Sequence, residues 1–290
     1  MRFALFTGST PEWTTAEVAR KAADQGWRGL EWRVVDQKPS DVPGFWAGSL
    51  STFPLTGIEE LVPEIVGTTN GAGLDFAGVA AYVPIGDRGD VERVLAVTAA
   101  LGAGRVRLTM PKTEAGTDYA ELFAQARADA EFASEAAAHR GVQVVIQLHH
   151  GTITATSSAA RQLLDGLDPA AIGVMHDLGN TTVEGREGLQ TLATGLQILG
   201  EYLAHVHIKN VVWRPGEPQE DGTVDWAWSW APLRTGMADV PGYFRALHSV
   251  GYDGWVTLED FTTELPLEER IADDLAYLTA SATAAGYEVK

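Results

Sequence analysis

With 290 residues, 45% of them apolar, the chain has enough hydrophobic side chain to bury a large core, which excludes disorder. A formal net charge of −18 opposes a nucleic-acid partner, because phosphate backbones reward Lys and Arg and penalise carboxylates. There is no cysteine, so disulfides, thiolate nucleophiles and Cys-ligated metals are excluded, and no run of about 18 apolar residues predicts a membrane span.

Arg2–Gly8 is a short apolar run that predicts a buried strand. The start MRFALFTGSTPEW has no basic region ahead of a long apolar stretch and no small-residue cleavage site, so no signal peptide is expected and the cytoplasm is the default location. Thr14 then opens a helix with Glu17 at the third helical position, the pattern of a capping box, and Gly26 stops it. Gly29–Val35 reads as strand, Gly57–Thr68 as helix, Leu74–Val83 as strand and Asp90–Leu101 as helix. The run GAGRVRLTM is a strand that puts Arg105, Arg107 and Thr109 on one face, and an Ala-rich helix follows from Tyr119 to His139.

Val142–His150 is the next strand, then a helix over Ser157–Leu167, the strand Ile172–Asp177 and a helix over Leu189–Leu203. Ala204–Asn210 is strand, whereas Val211–Asp239 has no clean periodicity and holds Trp213, Trp226, Trp228 and Trp230. A helix over Pro241–Val250, the strand Trp255–Phe261 and a helix over Pro266–Ala285, with Pro266 at its first position, complete the chain. About eight strands, each followed by a helix and with no linker between two composition regimes, predict one unit over residues 1–290, a single (β/α)8 TIM barrel. A doubly wound open sheet is the competing architecture; its G-x-G-x-x-G turn after the first strand is missing.

In a barrel the chemistry lies at the C-terminal ends of the strands. The first stretch to attract notice is Val142–Asn180, where two apolar runs end in Gln147, His149 and His150, and in His176 and Asp177. Following the chain adds His207 and Glu259, so that Gln147, Asp177, His207 and Glu259 fall at four successive strand ends. Mixed oxygen and nitrogen donors of this kind suit one divalent ion, with Mn²⁺ as the first expectation and Mg²⁺, Co²⁺ or Zn²⁺ as alternatives. A polar residue at a strand end is also an ordinary helix cap or loop hydrogen bond, and that reading would have to hold four times over.

These residues carry a resemblance. LEW in the second strand, IGD, LGAGRVRL, HHGT, GVMHDLGN, HVHIKN and GYDGWVTLED occur in an order that resembles the xylose isomerase-like (β/α)8 superfamily, in its sugar phosphate isomerase/epimerase branch. That group also contains inosose dehydratases, ketose 3-epimerases and endonuclease IV. The resemblance implies that position 147, Asp177, His207 and Glu259 bind one divalent metal, with Glu residues at the first and last of these positions often acting as an acid/base pair. This chain departs from the pattern: Gln147 can offer its carbonyl oxygen but cannot accept a proton, and Asn180 stands where several epimerases have His.

What remains is a site with one carboxylate base. Glu259 serves as ligand and base, and His149, His205 or Lys209 supplies the second proton-transfer group. The expected activity is a metal-dependent sugar, cyclitol or keto-sugar isomerase or epimerase that abstracts a proton next to a carbonyl through a metal-stabilised enediolate. A lyase or dehydratase is the alternative that Gln147 favours; an endonuclease lacks the basic face it needs; a non-catalytic sugar- or metal-binding barrel belongs to another class altogether. Glu31, Arg107, His205, Trp213 and Arg214 are expected to contact substrate, although structural pairing explains Glu31 and Arg107 equally well, and Lys209 can equally be bridged to Glu31, Asp177 or Glu259. The Trp-rich stretch at about 211–239 is read as a lid or an interface in a homo-oligomer, joined by Trp46 and Phe53. The expected partner is a small carbohydrate.

Overall fold

The computed structural model of the protein describes residues 1–185 and 192–290. Eight parallel strands close on themselves in the order β1-β10-β7-β6-β5-β4-β3-β2, which settles the choice against an open sheet. They are β1 (Arg2–Phe6), β2 (Gly29–Val34), β3 (Asp75–Pro84), β4 (Arg105–Thr109), β5 (Gln143–Gln147), β6 (Ile172–Asp177), β7 (Leu203–Ile208) and β10 (Trp255–Leu258). Around them lie α1 (Thr15–Gln25), α2 (Ile58–Gly71), α3 (Arg88–Leu101), α4 (Tyr119–Ala138), α5 (Ser157–Leu164), α6 (Leu178–Val183), α7 (Leu192–Leu199), α8 (Val240–Ser249) and α9 (Leu267–Ala284).

Local chemistry accounts for these elements. Thr14 accepts from the Glu17 backbone N–H while Glu17 accepts from the Thr14 backbone, the reciprocal pair anticipated from the sequence, and Gly26 ends α1 in the left-handed region. The alanines of α4 at 126, 130, 133, 136 and 137 are buried, so a narrow helix face sits close against the sheet. Side chains that point outward from the strands join the helices in one large apolar cluster, whereas Ala4, Ala77 and Trp255 form a small separate one. By strand parity this second cluster plugs the barrel at its N-terminal end. Above it the inward positions turn polar, and that change is what positions the site.

Four features differ from the sequence expectation. Residues 211–239, expected to be irregular, contain an antiparallel hairpin of β8 (Asn210–Pro218) and β9 (Val224–Ala231), in which Val211 faces Trp230, Trp213 faces Trp228 and Pro215 faces Trp226. Period-two alternation was present there, but Pro215 and Gly216 within the strand hid it. A short helix, α6, starts directly at Asp177, whose side chain accepts from the Asn180 N–H; six residues carry too little periodicity to be read. Pro266 is the extended residue before α9 (φ −52°, ψ 140°) and not its first helical residue. Of the helix expected over Leu189–Leu203, the first three residues lie outside the described residues; the rest is α7, a 3-10 turn at Gly200–Tyr202, and Leu203 as the first residue of β7. No helix among the described residues is long and apolar enough to cross a membrane.

The plug depends on a close approach at Gly29, where an added Cβ would lie 2.7 Å from the Asp75 carbonyl oxygen and 2.8 Å from the Trp255 ring. Gly29→Ala is therefore expected to cost about 1–3 kcal/mol through overpacking. Urea unfolding measures this; an unchanged midpoint would contradict the tight contact between β2 and the Trp255 plug.

Candidate active site

Parallel pairing sets side chains from neighbouring strands beside one another inside the barrel. Met175 pairs with His205 and Asp177 with His207 across β6 and β7, and Thr257 pairs with His207 across β10 and β7. Glu259 continues the ladder just past β10, its backbone N–H donating to the Ile208 carbonyl at 2.9 Å. Gln147, Asp177, His207 and Glu259 are all buried. The four positions read from strand ends are thus brought together.

His207 is held from both sides. Its Nε2 lies 2.7 Å from Glu31 Oε2, and its Nδ1 lies 3.1 Å from Glu259 Oε1 and 4.0 Å from Asp177 Oδ2. Glu31 also reaches His205 Nε2 at 3.0 Å, and the remaining His205 nitrogen sits 3.2 Å from Arg105. The Lys209 ammonium bridges Asp177 Oδ2, at 2.6 Å, and Glu259 Oε2. Gln147 donates from Nε2 to Asp177 Oδ2 at 2.6 Å and accepts from Arg107 Nη1 at 2.9 Å. Asn180 completes the clamp on Asp177 by donating from Nδ2 at 2.9 Å, and it faces His150 Nδ1 through Oδ1 at 3.1 Å.

These contacts decide the charge states. Burial works against the Glu259 carboxylate, but Lys209 and then His207 overcome it and hold the group well below the usual range. Burial likewise works against an imidazolium at His207, yet Glu31 and Glu259 raise it to about 10. Lys209 is raised in the same sense by Asp177 and Glu259 against its burial. His149 behaves in the opposite way: burial, then the charge of Lys209, pushes it down to about 4, so it is neutral at pH 7. Its Nδ1 lies 2.9 Å from the His150 carbonyl, which places the proton there and leaves Nε2 unprotonated.

A cavity of about 180 Å³ opens over this cluster, with Gln147, His149, Lys209, Glu259 and Arg107 in its wall. Trp230 closes one side and stands 5.1 Å from the Lys209 ammonium, while Phe261 and Trp46 lie beside it. The tryptophans share one face of the hairpin: Trp228 packs on Trp230 at 4.8 Å and on His150 at 4.9 Å, and Trp213 and Trp226 line a shallow groove farther out with His150 and Glu184. Arg214 projects from the opposite face toward Ser229, exposed to solvent, so the structure does not bring it to the cavity. His205 and Glu31 sit beneath the cavity as supports for His207 and do not line it. Sequence reading passed over Tyr82, Lys112 and Thr152, which do line it. Period two along AAYVP would have placed Tyr82 inward with Ala80; Thr152 stood only as the end of HHGT, and nothing in the sequence marked Lys112.

Asp177, His207 and Glu259 present donor atoms within 4.8 Å of one another, and Glu31, His205 and His207 form a second such group. The first fits a divalent ion better. Glu31 fixes His207 through Nε2, as a carboxylate orients a metal-bound imidazole, and leaves Nδ1 facing the two carboxylates. A cation, the Lys209 ammonium, already takes the place between Asp177 and Glu259 that an ion would share. Gln147 turns its nitrogen to Asp177 and its oxygen to Arg107, so it offers the ion no oxygen in this arrangement.

The elevation of His207 gives a pH dependence. A group whose folded value lies above its ordinary value near 6.5 contributes stability that is complete below 6.5 and is lost as pH rises through about 10. Chelator-treated protein should lose resistance to urea over that window. Glu31→Gln should cost about 3 kcal/mol at pH 7 and flatten the profile. Parallel profiles in the two proteins would show that Glu31 does not hold the His207 proton.

Comparison with known proteins agrees with the barrel fold. The profile of the family described as Xylose isomerase-like TIM barrel matches residues 84–281. The inosose dehydratase of Geobacillus thermodenitrificans (strain NG80-2) is 25% identical over 131 residues, a match that covers only 42% of each chain. Among solved structures, a zinc-bound IOLI protein aligns with TM-score 0.76 at 15% identity, covering 99% of this chain and 100% of that one. The 3-keto-D-glucoside 4-epimerase YcjR of E. coli aligns with TM-score 0.70 at 16% identity, covering 97% and 99%. The closed barrel, the buried cluster at its strand ends and the family match together assign the chain to the xylose isomerase-like TIM barrel family.

Proposed function

We propose that the chain is a divalent-metal-dependent enzyme that removes a proton from the carbon beside a carbonyl in a sugar, cyclitol or keto-sugar. The observation that carries this reading is His207, held at Nε2 by Glu31 and facing Asp177 and Glu259 through Nδ1. Asp177, His207 and Glu259 would hold the ion, and Mn²⁺, Mg²⁺, Co²⁺ and Zn²⁺ all suit such donors. When bound, the ion would polarise the carbonyl and stabilise charge on its oxygen.

The chain's own residues supply the proton transfers. His149, whose Nε2 is left unprotonated, and the ionised Glu259 both line the cavity. Lys209 is an ammonium able to protonate a departing group. One base and one acid are what β-elimination needs: His149 takes the proton of the C–H bond, its electron pair forms the C=C bond, and the neighbouring hydroxyl leaves as water with a proton from Lys209. Loss of water is therefore the outcome these residues support best, and the partial match to inosose dehydratases supports it too. Isomerisation or epimerisation is the second reading, supported by the likeness to YcjR; it would use Glu259 as a shuttling base, since Gln147 cannot serve as the second carboxylate. Trp230 and the hairpin would act as a lid that keeps water from the cavity.

Protein purified without chelator is expected to carry close to one divalent ion per chain by elemental analysis, and Asp177→Ala or His207→Ala should remove it. Unchanged metal content in both variants contradicts the metal assignment. For the reaction, inososes, free sugars and 3-keto-glycosides are incubated with Mn²⁺ or Co²⁺ in D₂O and followed by NMR. An unsaturated product identifies dehydration, deuterium in a recovered sugar identifies isomerisation or epimerisation, and neither in any substrate overturns the reading. His149→Gln should lower kcat by about 10²–10⁴-fold with little change in KM, and an unaltered kcat would remove His149 from the mechanism.

A further inference from the structure

We infer that the ligand of this cavity carries a carboxylate and that Arg107 receives it, an inference that rests on reading the cavity as the active site. Arg107 rises inside the barrel from β4 with 4% of its surface exposed. It stacks on the Tyr82 ring at 4.4 Å and donates from Nη1 to Gln147. Its Nε and Nη2 groups have no hydrogen-bond partner among the described residues; the nearest carboxylate, Glu259, lies 4.0 Å from Nη1. A buried charged donor without a partner is costly, and such a group in a cavity wall marks where a ligand completes the hydrogen bonding.

The shape of the unused donor pair names the ligand chemistry. Nε–H and Nη2–H lie on one edge of the planar guanidinium and match the two oxygens of a carboxylate. Among the described residues that same edge is used twice elsewhere. Arg93 grips Glu59 through Nε at 2.7 Å and Nη2 at 3.1 Å, and Arg234 grips Asp273 through both at 2.8 Å. Inside the barrel the edge has no protein carboxylate to grip. A phosphate is usually held by several backbone N–H groups at a helix start, whereas the donors left over here form a single planar fork.

Other cations stand around the same cavity. Arg33 is buried beside the Tyr82 ring with an unpartnered Nε, and Lys112 is exposed at the rim. A ligand carboxylate would give the Arg107 fork the partner that the protein leaves out, which makes a uronic acid or a carboxylated cyclitol the fitting class.

Isothermal titration calorimetry in chelator tests this with matched probes: D-glucuronate against D-glucose, quinate against myo-inositol, and glucose 6-phosphate as the phosphate arm. At least one acid should bind about 10- to 100-fold more tightly than its neutral partner, the worth of a charge-assisted pair. The preference should fall to within about twofold in Arg107→Met and survive only in part in Arg107→Lys, which keeps the charge and loses the fork. If Arg107→Met does not fold, Arg107→Lys and Lys112→Gln carry the test, and the Lys variant must show the larger loss. Equal affinities, no detectable binding of either acid, or a preference that persists in the Arg107 variants overturns the inference. Tighter binding of the phosphate overturns it in favour of phosphate, and a preference seen only after adding Mn²⁺ and kept in the variants is chelation by the ion and also overturns it. Binding in chelator involves no turnover, so an inactive but acid-selective chain would sink the proposed reaction and leave this inference standing.

Discussion

The Lys209 ammonium, set between Asp177 and Glu259 at the centre of the barrel mouth, is the interaction on which the other contacts turn. Two carboxylates cannot stay ionised side by side in a dry interior without a cation, and removing one partner of such a pair is far more costly than never burying it. Each neighbouring residue follows from that need. Asn180 and Gln147 donate to Asp177, Glu31 keeps His207 charged and turned toward Glu259, and Arg105 faces the nitrogen of His205 that Glu31 leaves free. Even the backbone conforms, for an added Cβ at Gly179 would run into the stem of Lys209.

The same arrangement links fold to chemistry. The barrel supplies a dry, rigid wall in which two basic groups stand in opposite charge states, Lys209 held as an ammonium by its carboxylates and His149 held neutral by burial and by the charge of Lys209, which suits them to the proposed roles of proton donor and acceptor. By accepting from Arg107 Nη1, Gln147 fixes which edge of the guanidinium is left without a protein partner.

Much of this was legible in the sequence. Strand parity and spacing along the chain brought Gln147, Asp177, His207 and Glu259 to one place before any coordinates, because a parallel barrel converts position along a strand into height within the barrel. Three things were not legible. The pairing of Lys209 was open among Glu31, Asp177 and Glu259, since a long flexible side chain is placed by its partners and not by its strand. Trp213 and Arg214 were both expected to contact substrate, yet neighbours in a strand point to opposite faces, and only β8 pairing with β9 reveals that alternation. His205, expected to contact substrate, shares its strand face with His207, and it took the closed barrel to show His205 beneath the cavity and His207 facing the carboxylates.

The central proposal is that Asp177, His207 and Glu259 form a cation site which Lys209 fills in the absence of a divalent ion. The most direct test is a crystal structure of Mn²⁺-soaked protein with anomalous scattering. One strong peak is expected within bonding distance of Asp177, His207 Nδ1 and Glu259, with the Lys209 ammonium moved off both carboxylates. A cluster without a peak, and Lys209 still bridging Asp177 and Glu259, would contradict it.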